Sequence, residues 1–173
     1  MSPQYYTIEA GRLYGGEYPG SKVVGEATAR LRSLITMGVR TFIDLTTSDD
    51  RMEPYEGLLA ELEGEFGVPL RRISLPIPDM RIPSSVDTMR EIMDAVRKFI
   101  EQDPAVYVHC WGGIGRTGMV VGCWLREQGC DPDSALERVQ QLYSSQMPKF
   151  RIHPESPQTR EQRNYVRRWE VES

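Results

Sequence analysis

The chain has 173 residues, 39% of them hydrophobic and 27% charged, with a net charge of −4. This is an ordinary soluble composition with enough length for one core, and it offers no global basic field to attract nucleic acid or an anionic membrane. No apolar run reaches the roughly 18 residues a membrane helix needs, and Met1 to Ala10 lacks the charged-then-apolar layout of a signal peptide, so the expectation is one untargeted cytoplasmic domain over 1–173.

Along the chain, strand-like and helix-like segments alternate, the pattern of a sheet flanked by helices. Tyr5 to Tyr18, with Leu13-Tyr14-Gly15-Gly16, reads as short strands with glycine turns. A helix follows within Gly25 to Met37. Arg40 to Thr47 is β-branched and apolar, a central strand. Pro54 to Phe66 reads as a helix with Pro54 in its first turn and Gly67 past its end. Pro69 to Leu75 is the next strand, broken by Pro76 and Pro78 into a stiff loop that carries Asp79.

Ser84 and Ser85 are candidate caps for a helix running to Glu101. Its apolar residues Val86, Met89, Met93, Val96 and Ile100 share one face. Ala105 to His109 is a short apolar strand that leads directly into the glycine-rich stretch Gly112 to Gly118. Met119 to Glu127 is apolar nearly all round, which predicts a buried helix. Ser134 to Tyr143 and Gln158 to Trp169 complete the set. Asp44 falls in the predicted buried strand, and Asp49 and Asp50 in the turn after it.

The three cysteines, Cys110, Cys123 and Cys130, are too few and too odd in number for a disulfide framework. They fit a reducing compartment. The only histidines are His109 and His153, and no cysteine pair has zinc-ligand spacing. No metal and no cofactor are expected.

The informative run is His109-Cys110-Trp111-Gly112-Gly113-Ile114-Gly115-Arg116-Thr117-Gly118. A strand delivers Cys110 to its carboxyl end. The glycines at 112, 113 and 115, with Trp111 and Ile114, let successive backbone N–H groups turn inward into an anion nest. A helix starting near Arg116 adds its positive N-terminal end. The same environment favours a thiolate on the sulfur, because helix N-termini and nearby cations lower a cysteine pKa.

Arg116, six positions on, can curl back and hold two phosphoryl oxygens through its planar fork. Thr117 can donate its hydroxyl to the sulfur. His109 faces away from Cys110 in a strand, and its expected part is to orient the loop by hydrogen bonds. A leaving oxygen needs a proton, and Asp79, 31 residues before Cys110, is the candidate acid. Trp111 either packs beneath the loop or stands at its rim against an aromatic substrate group. Arg81, Lys149 and Arg151 read as solvated surface charges, with the rim of the pocket as their alternative place.

These residues resemble the His-Cys-(five residues)-Arg-Ser/Thr signature of protein tyrosine and dual-specificity phosphatases, matching every defining position. The resemblance implies an α/β domain with a central, mostly parallel sheet and helices on both faces. It implies a phosphocysteine on Cys110, phosphate binding by Arg116 and acid catalysis by Asp79. Tyrosine-specific members place a tryptophan where Ile77 stands, so the compact dual-specificity branch is the nearer likeness.

Gln158-Thr159-Arg160-Glu161-Gln162 resembles the family's glutamine loop, which implies that Gln158 or Gln162 positions the hydrolytic water. The expected substrate is phosphotyrosine in proteins or peptides, with phosphoserine and phosphothreonine as extensions, acted on by a monomer without nucleic acid or membrane. A phosphoinositide or inositol phosphate substrate, a non-catalytic phosphate-binding module, and a sulfur-transfer or arsenate-reducing enzyme are the alternatives. The absence of lysine or arginine from Trp111 to Gly115 weighs against a polyphosphorylated substrate.

Overall fold

The structure is a computed structural model, and it describes residues 4–172. Met1 to Pro3, part of the expected untargeted N-terminus, and Ser173 lie outside the described residues. Five strands form one sheet: β1 (Tyr5–Glu9), β2 (Leu13–Gly16), β3 (Val39–Asp44), β4 (Arg71–Ser74) and β5 (Ala105–His109). Their order across the sheet is β1-β2-β5-β3-β4. Among the described residues, only the edge hairpin β1–β2 is antiparallel; every other pairing is parallel. The chain is thus an α/β fold with a mixed, mostly parallel sheet, as expected.

Among the described residues, six α-helices cover the sheet: α1 (Val24–Thr36), α2 (Glu56–Phe66), α3 (Val86–Gln102), α4 (Arg116–Glu127), α5 (Pro132–Gln146) and α6 (Arg160–Arg168). β5 shows why helices lie on both faces. All five of its residues are buried, and side chains alternate along a strand. Val106 and Val108 point into a core shared with α3, α4, α5 and α6. Ala105 and Tyr107 point into a second core with Leu31, Leu34, Leu59 and Leu62 of α1 and α2. Fully burying each of these valine and leucine side chains stabilises the fold by about 1.5–3 kcal/mol.

The expected boundaries shift in several places. β3 ends at Asp44 rather than Thr47, because the Asp44 carboxylate accepts from the Thr46 amide and hydroxyl and turns the chain off the sheet. β4 covers only Arg71–Ser74 of the expected Pro69 to Leu75. Pro54 precedes Tyr55, the residue before α2, and so lies outside the first turn; Gly67 closes that helix in the left-handed region. Ser85, not Ser84, caps α3, and Val86 is 49% exposed rather than part of its buried face.

α5 starts early because Asp131 caps it and Pro132 occupies its first position. α6 starts late, at Arg160, where Thr159 and Gln162 form a capping box. Gly122 lets α6 approach α4: a Cβ there would lie 2.7 Å from Val166 Cγ2. Among the described residues, no helix is long and apolar enough to cross a membrane.

Candidate active site

β5 carries Cys110 to the carboxyl end of the sheet, where open α/β sheets commonly bind ligands. Cys110 is 3% exposed and lies at the floor of a cavity of about 550 Å³. The loop after it is shaped from outside. Tyr18 N donates to the Trp111 carbonyl at 2.9 Å. Lys149 Nζ donates to the Gly112 carbonyl at 3.3 Å and Ser156 Oγ to the Ile114 carbonyl at 2.7 Å.

In a trans peptide the carbonyl and the following N–H point in opposite directions. Holding these three carbonyls aims the amides of Gly112, Gly113 and Gly115 the other way. Among the described residues, no amide from Trp111 to Arg116 donates to a protein acceptor. α4 begins at Arg116 with no side-chain cap, so its positive end is also uncommitted. Gly113 has φ +74°, and a Cβ there would fall 2.6 Å from the Gly16 carbonyl oxygen. Only glycine meets both conditions.

Arg116 is 1% exposed. Its Nη1 and Nη2 form a two-pronged bond to Asp50 at 2.9 and 2.8 Å. Nη1 also donates to the Ile77 carbonyl at 3.0 Å. Nη2 lies 3.0 Å from Asp79 Oδ1, while the buried Nε has no partner. The expected grip on two phosphoryl oxygens therefore differs from the resting arrangement. One end of the guanidinium is committed to Asp50, while on its Nε–Nη2 edge Nη2 meets Asp79 and Nε is unused.

Burial works against the Asp50 charge. The Arg116 guanidinium and the Thr47 amide outweigh it and hold the carboxyl below the usual range. Burial likewise opposes the Arg116 charge, and the bond to Asp50 raises its pKa above the ordinary arginine value despite it.

Thr117 Oγ1 donates to Cys110 Sγ at 3.1 Å. On the other face of β5, the His109 ring stacks on Tyr107. Its Nδ1 lies 3.3 Å from the Cys110 carbonyl oxygen and its Nε2 2.7 Å from Tyr55 Oη. A carbonyl only accepts, which places the proton on Nδ1 and leaves Nε2 to accept from Tyr55.

Burial pushes the imidazole down to about 4, against the pull of the Asp44 carboxylate. Between that value and about 6.5, the unfolded chain binds a proton the folded chain refuses. This share of the stability is complete above pH 6.5 and is lost as pH falls toward 4. We expect a loss of about 3 kcal/mol from this group between pH 7 and pH 4, measured by urea unfolding. His109→Gln should flatten that part of the profile; parallel profiles for the two proteins would contradict the assignment.

The cavity above Cys110 is lined by Asp79, Met80, Trp111, Gly112, Ile114, Gly115, Lys149, Ile152, His153 and Gln158. Trp111 is 59% exposed, so it stands at the rim and does not pack beneath the loop. Lys149, expected as a solvated charge, instead joins the cavity wall. Arg81 lines a neighbouring recess with Asp49, Asp50 and Asp79, and Arg151 is exposed away from both. Gln158 lines the cavity from the loop before α6. Gln162 is buried and committed: its amide donates to the Arg81 carbonyl and its oxygen accepts from Thr159 N.

Sequence reasoning placed Asp50 only in a turn and missed its pairing with Arg116. The available signal was its position just past β3, the strand beside β5, where loops converge on one end of the sheet. Ser156 was missed outright; nothing in its local sequence marks the contact with Ile114.

Residues 16–130 match the family model described as polymorphic toxin system, DSP-PTPase phosphatase. Protein 067L of Invertebrate iridescent virus 3, whose name assigns it provisionally to the tyrosine phosphatases, is 29% identical over 98% of this chain and 66% of its own. The chain spans about half the length of the archaeal relatives it matches, from Methanocaldococcus jannaschii.

Among solved structures, Tk-PTP in its active form superposes with a TM-score of 0.70 at 25% identity, over 95% of this chain and 94% of that one. PTPMT1 in complex with PI(5)P superposes with a TM-score of 0.65 at 17% identity, over 96% and 94%. The second likeness is one of fold alone.

Proposed function

The chain belongs to the polymorphic toxin system DSP-PTPase phosphatase family, and from that premise we propose that it hydrolyses phosphotyrosine in proteins through a phosphocysteine on Cys110. The observation that carries the phosphatase reading is the set of uncommitted amides from Trp111 to Arg116 in the loop that follows Cys110. Phosphotyrosine is supported by the cavity mouth. Met80, Trp111 and Ile152 are 45%, 59% and 79% exposed there. These apolar surfaces suit an aromatic ring better than a polyol.

In the proposed mechanism the dianionic phosphoryl group settles on the nest and takes the Nε–Nη2 edge of Arg116. That displaces Asp79 from the guanidinium toward the leaving oxygen. The Cys110 thiolate forms the P–S bond as the P–O bond breaks, and Asp79 gives the phenolic oxygen its proton. Water, positioned by Gln158 in preference to the committed Gln162, then attacks phosphorus and returns its proton to Asp79. The sulfur leaves as a thiolate that Thr117 stabilises through its hydroxyl. Arg116 and the amides carry the charge that develops on the equatorial oxygens.

Asp79→Asn is expected to slow hydrolysis of phenyl phosphate, a poor leaving group, by about 10²–10³-fold. Esters of strongly acidic phenols, which need no proton, should lose only a few-fold. Equal slowing across leaving groups would remove Asp79 from the acid role.

The substrate class is tested with phosphotyrosine and phosphothreonine peptides, a phosphoinositide and a nucleotide, each with a Cys110→Ser control. Phosphotyrosine peptides should give the highest kcat/KM. A phosphoinositide turned over faster than any peptide would overturn the protein-substrate reading. Lys149 and His153 on the cavity wall are what would favour that alternative.

A further inference from the structure

We infer that Lys149, braced by Glu17, is a specificity-determining residue that receives an acidic side chain flanking the phosphotyrosine of a peptide substrate. The inference rests on the phosphotyrosine reading above and extends it to the sequence around the target.

Lys149 sits in a short 3₁₀ turn, Pro148–Arg151, between α5 and α6. The turn is tied down at its end. The amides of Ile152 and His153 donate to the Lys149 carbonyl at 2.9 and 2.8 Å, and Tyr143 Oη donates to the His153 carbonyl at 2.7 Å. Lys149 Nζ lies 2.6 Å from Glu17 Oε2 and donates to the Gly112 carbonyl. Glu17 is itself held, accepting from Gln4 N at 3.2 Å. A flexible four-carbon side chain is thus fixed at both ends beside the phosphate cradle.

An ammonium group has three hydrogens, and these contacts take two. The side chain is 26% exposed and lines the cavity, which leaves the third hydrogen to the substrate. The charge balance selects the partner. Glu17 shares the Lys149 charge, and no lysine or arginine lies between Trp111 and Gly115. A carboxylate bonded to the third hydrogen leaves this group one negative charge in excess, where a phosphate dianion would leave two, so the carboxylate is the better-matched anion. A second recess, which shares Asp79 and Trp111 with the cavity, is lined by Asp49, Asp50 and Asp79 with Arg81 as its one cation. A carboxylate there meets more acidic than basic side chains, so the preference has a direction along the peptide.

The experiment measures kcat/KM for phosphotyrosine peptides identical except for one flanking position carrying Glu, Gln or Lys. The position is scanned on both sides of the phosphotyrosine. Wild type, Lys149→Met, Lys149→Glu and Lys149→Arg are compared, with p-nitrophenyl phosphate as the small substrate. Wild type should prefer Glu over Gln on one side only, by about five- to tenfold, carried in KM and reduced by salt. Lys149→Met should erase the preference, Lys149→Glu should turn it toward Lys, and Lys149→Arg should restore it.

No side preference in wild type, or the same preference in Lys149→Glu, would overturn the inference. So would equal losses on every peptide and on p-nitrophenyl phosphate, which would make Lys149 a support of the Gly112 peptide only. A vicinal inositol bisphosphate that competes better than the Glu peptide, and loses that advantage in Lys149→Met, would also overturn it. Failure of wild type to hydrolyse p-nitrophenyl phosphate would instead sink the phosphatase reading itself.

Discussion

Cys110→Ser is expected to lower kcat on phosphotyrosine peptides by on the order of 10⁵-fold while leaving their affinity within a few-fold of wild type. A serine hydroxyl stays protonated at neutral pH, so the amide ring and helix end that would hold a thiolate cannot generate an equivalent nucleophile. The groups proposed to bind phosphate are untouched. The amides of Trp111 to Arg116 are backbone, their carbonyls are held by Tyr18, Lys149 and Ser156, and Arg116 is fixed by Asp50. Stopped-flow turnover and calorimetric titration of a phosphopeptide check the two halves separately. Turnover within about tenfold of wild type, a deficit of only some 1.4 kcal/mol in the barrier, would mean the sulfur is not the nucleophile.

Arg116→Lys is expected to lose both binding and turnover, with kcat/KM down by about 10³-fold. The guanidinium reaches two ways at once. One end takes Asp50 and the Ile77 carbonyl, and the Nε–Nη2 edge is the one proposed to take phosphate. A lysine offers one point charge and three hydrogens, so it can serve Asp50 or the phosphate but not both. It also leaves the buried Ile77 carbonyl short of a donor, at a cost of about 1–3 kcal/mol. A lower urea midpoint should therefore accompany the kinetic loss. Vanadate binding to Arg116→Lys at wild-type affinity would show that the fork is not the phosphate clamp.

The parts legible in the sequence are those that are local in the chain. The nest from Cys110 to Arg116 is one turn of backbone with its glycines in register, so spacing alone describes it. The continuous apolar run of β5, buried on both faces, and the stripe on α3 are likewise local in the sequence. Where local patterns mislead, a short-range hydrogen bond has overridden them. Leu45 to Thr47 continues the β-branched run of β3, yet Asp44 captures the Thr46 amide and ends the strand. At α6 the helix is expected from Gln158, but the reciprocal bonds between Thr159 and Gln162 make Thr159 the cap and start the helix at Arg160.

Illegible in principle were the contacts between loops far apart in sequence: Asp50 with Arg116, Ser156 with Ile114, and Lys149 with Gly112. Such contacts follow from which strand ends converge at one edge of the sheet, and no periodicity encodes them. Trp111 illustrates the same limit. Its chemistry suited either a packing or a rim position, and only the placement of neighbouring loops leaves it in solvent.

The most direct test of the proposed covalent mechanism is to mix the protein with a ³²P-labelled phosphotyrosine peptide, quench within the first turnover and map the label. The proposed mechanism predicts acid-stable phosphate on the peptide containing Cys110, absent in Cys110→Ser and accumulating in Asp79→Asn when an activated ester is the donor. Label on any other residue, or turnover that passes through no labelled protein at all, would contradict it.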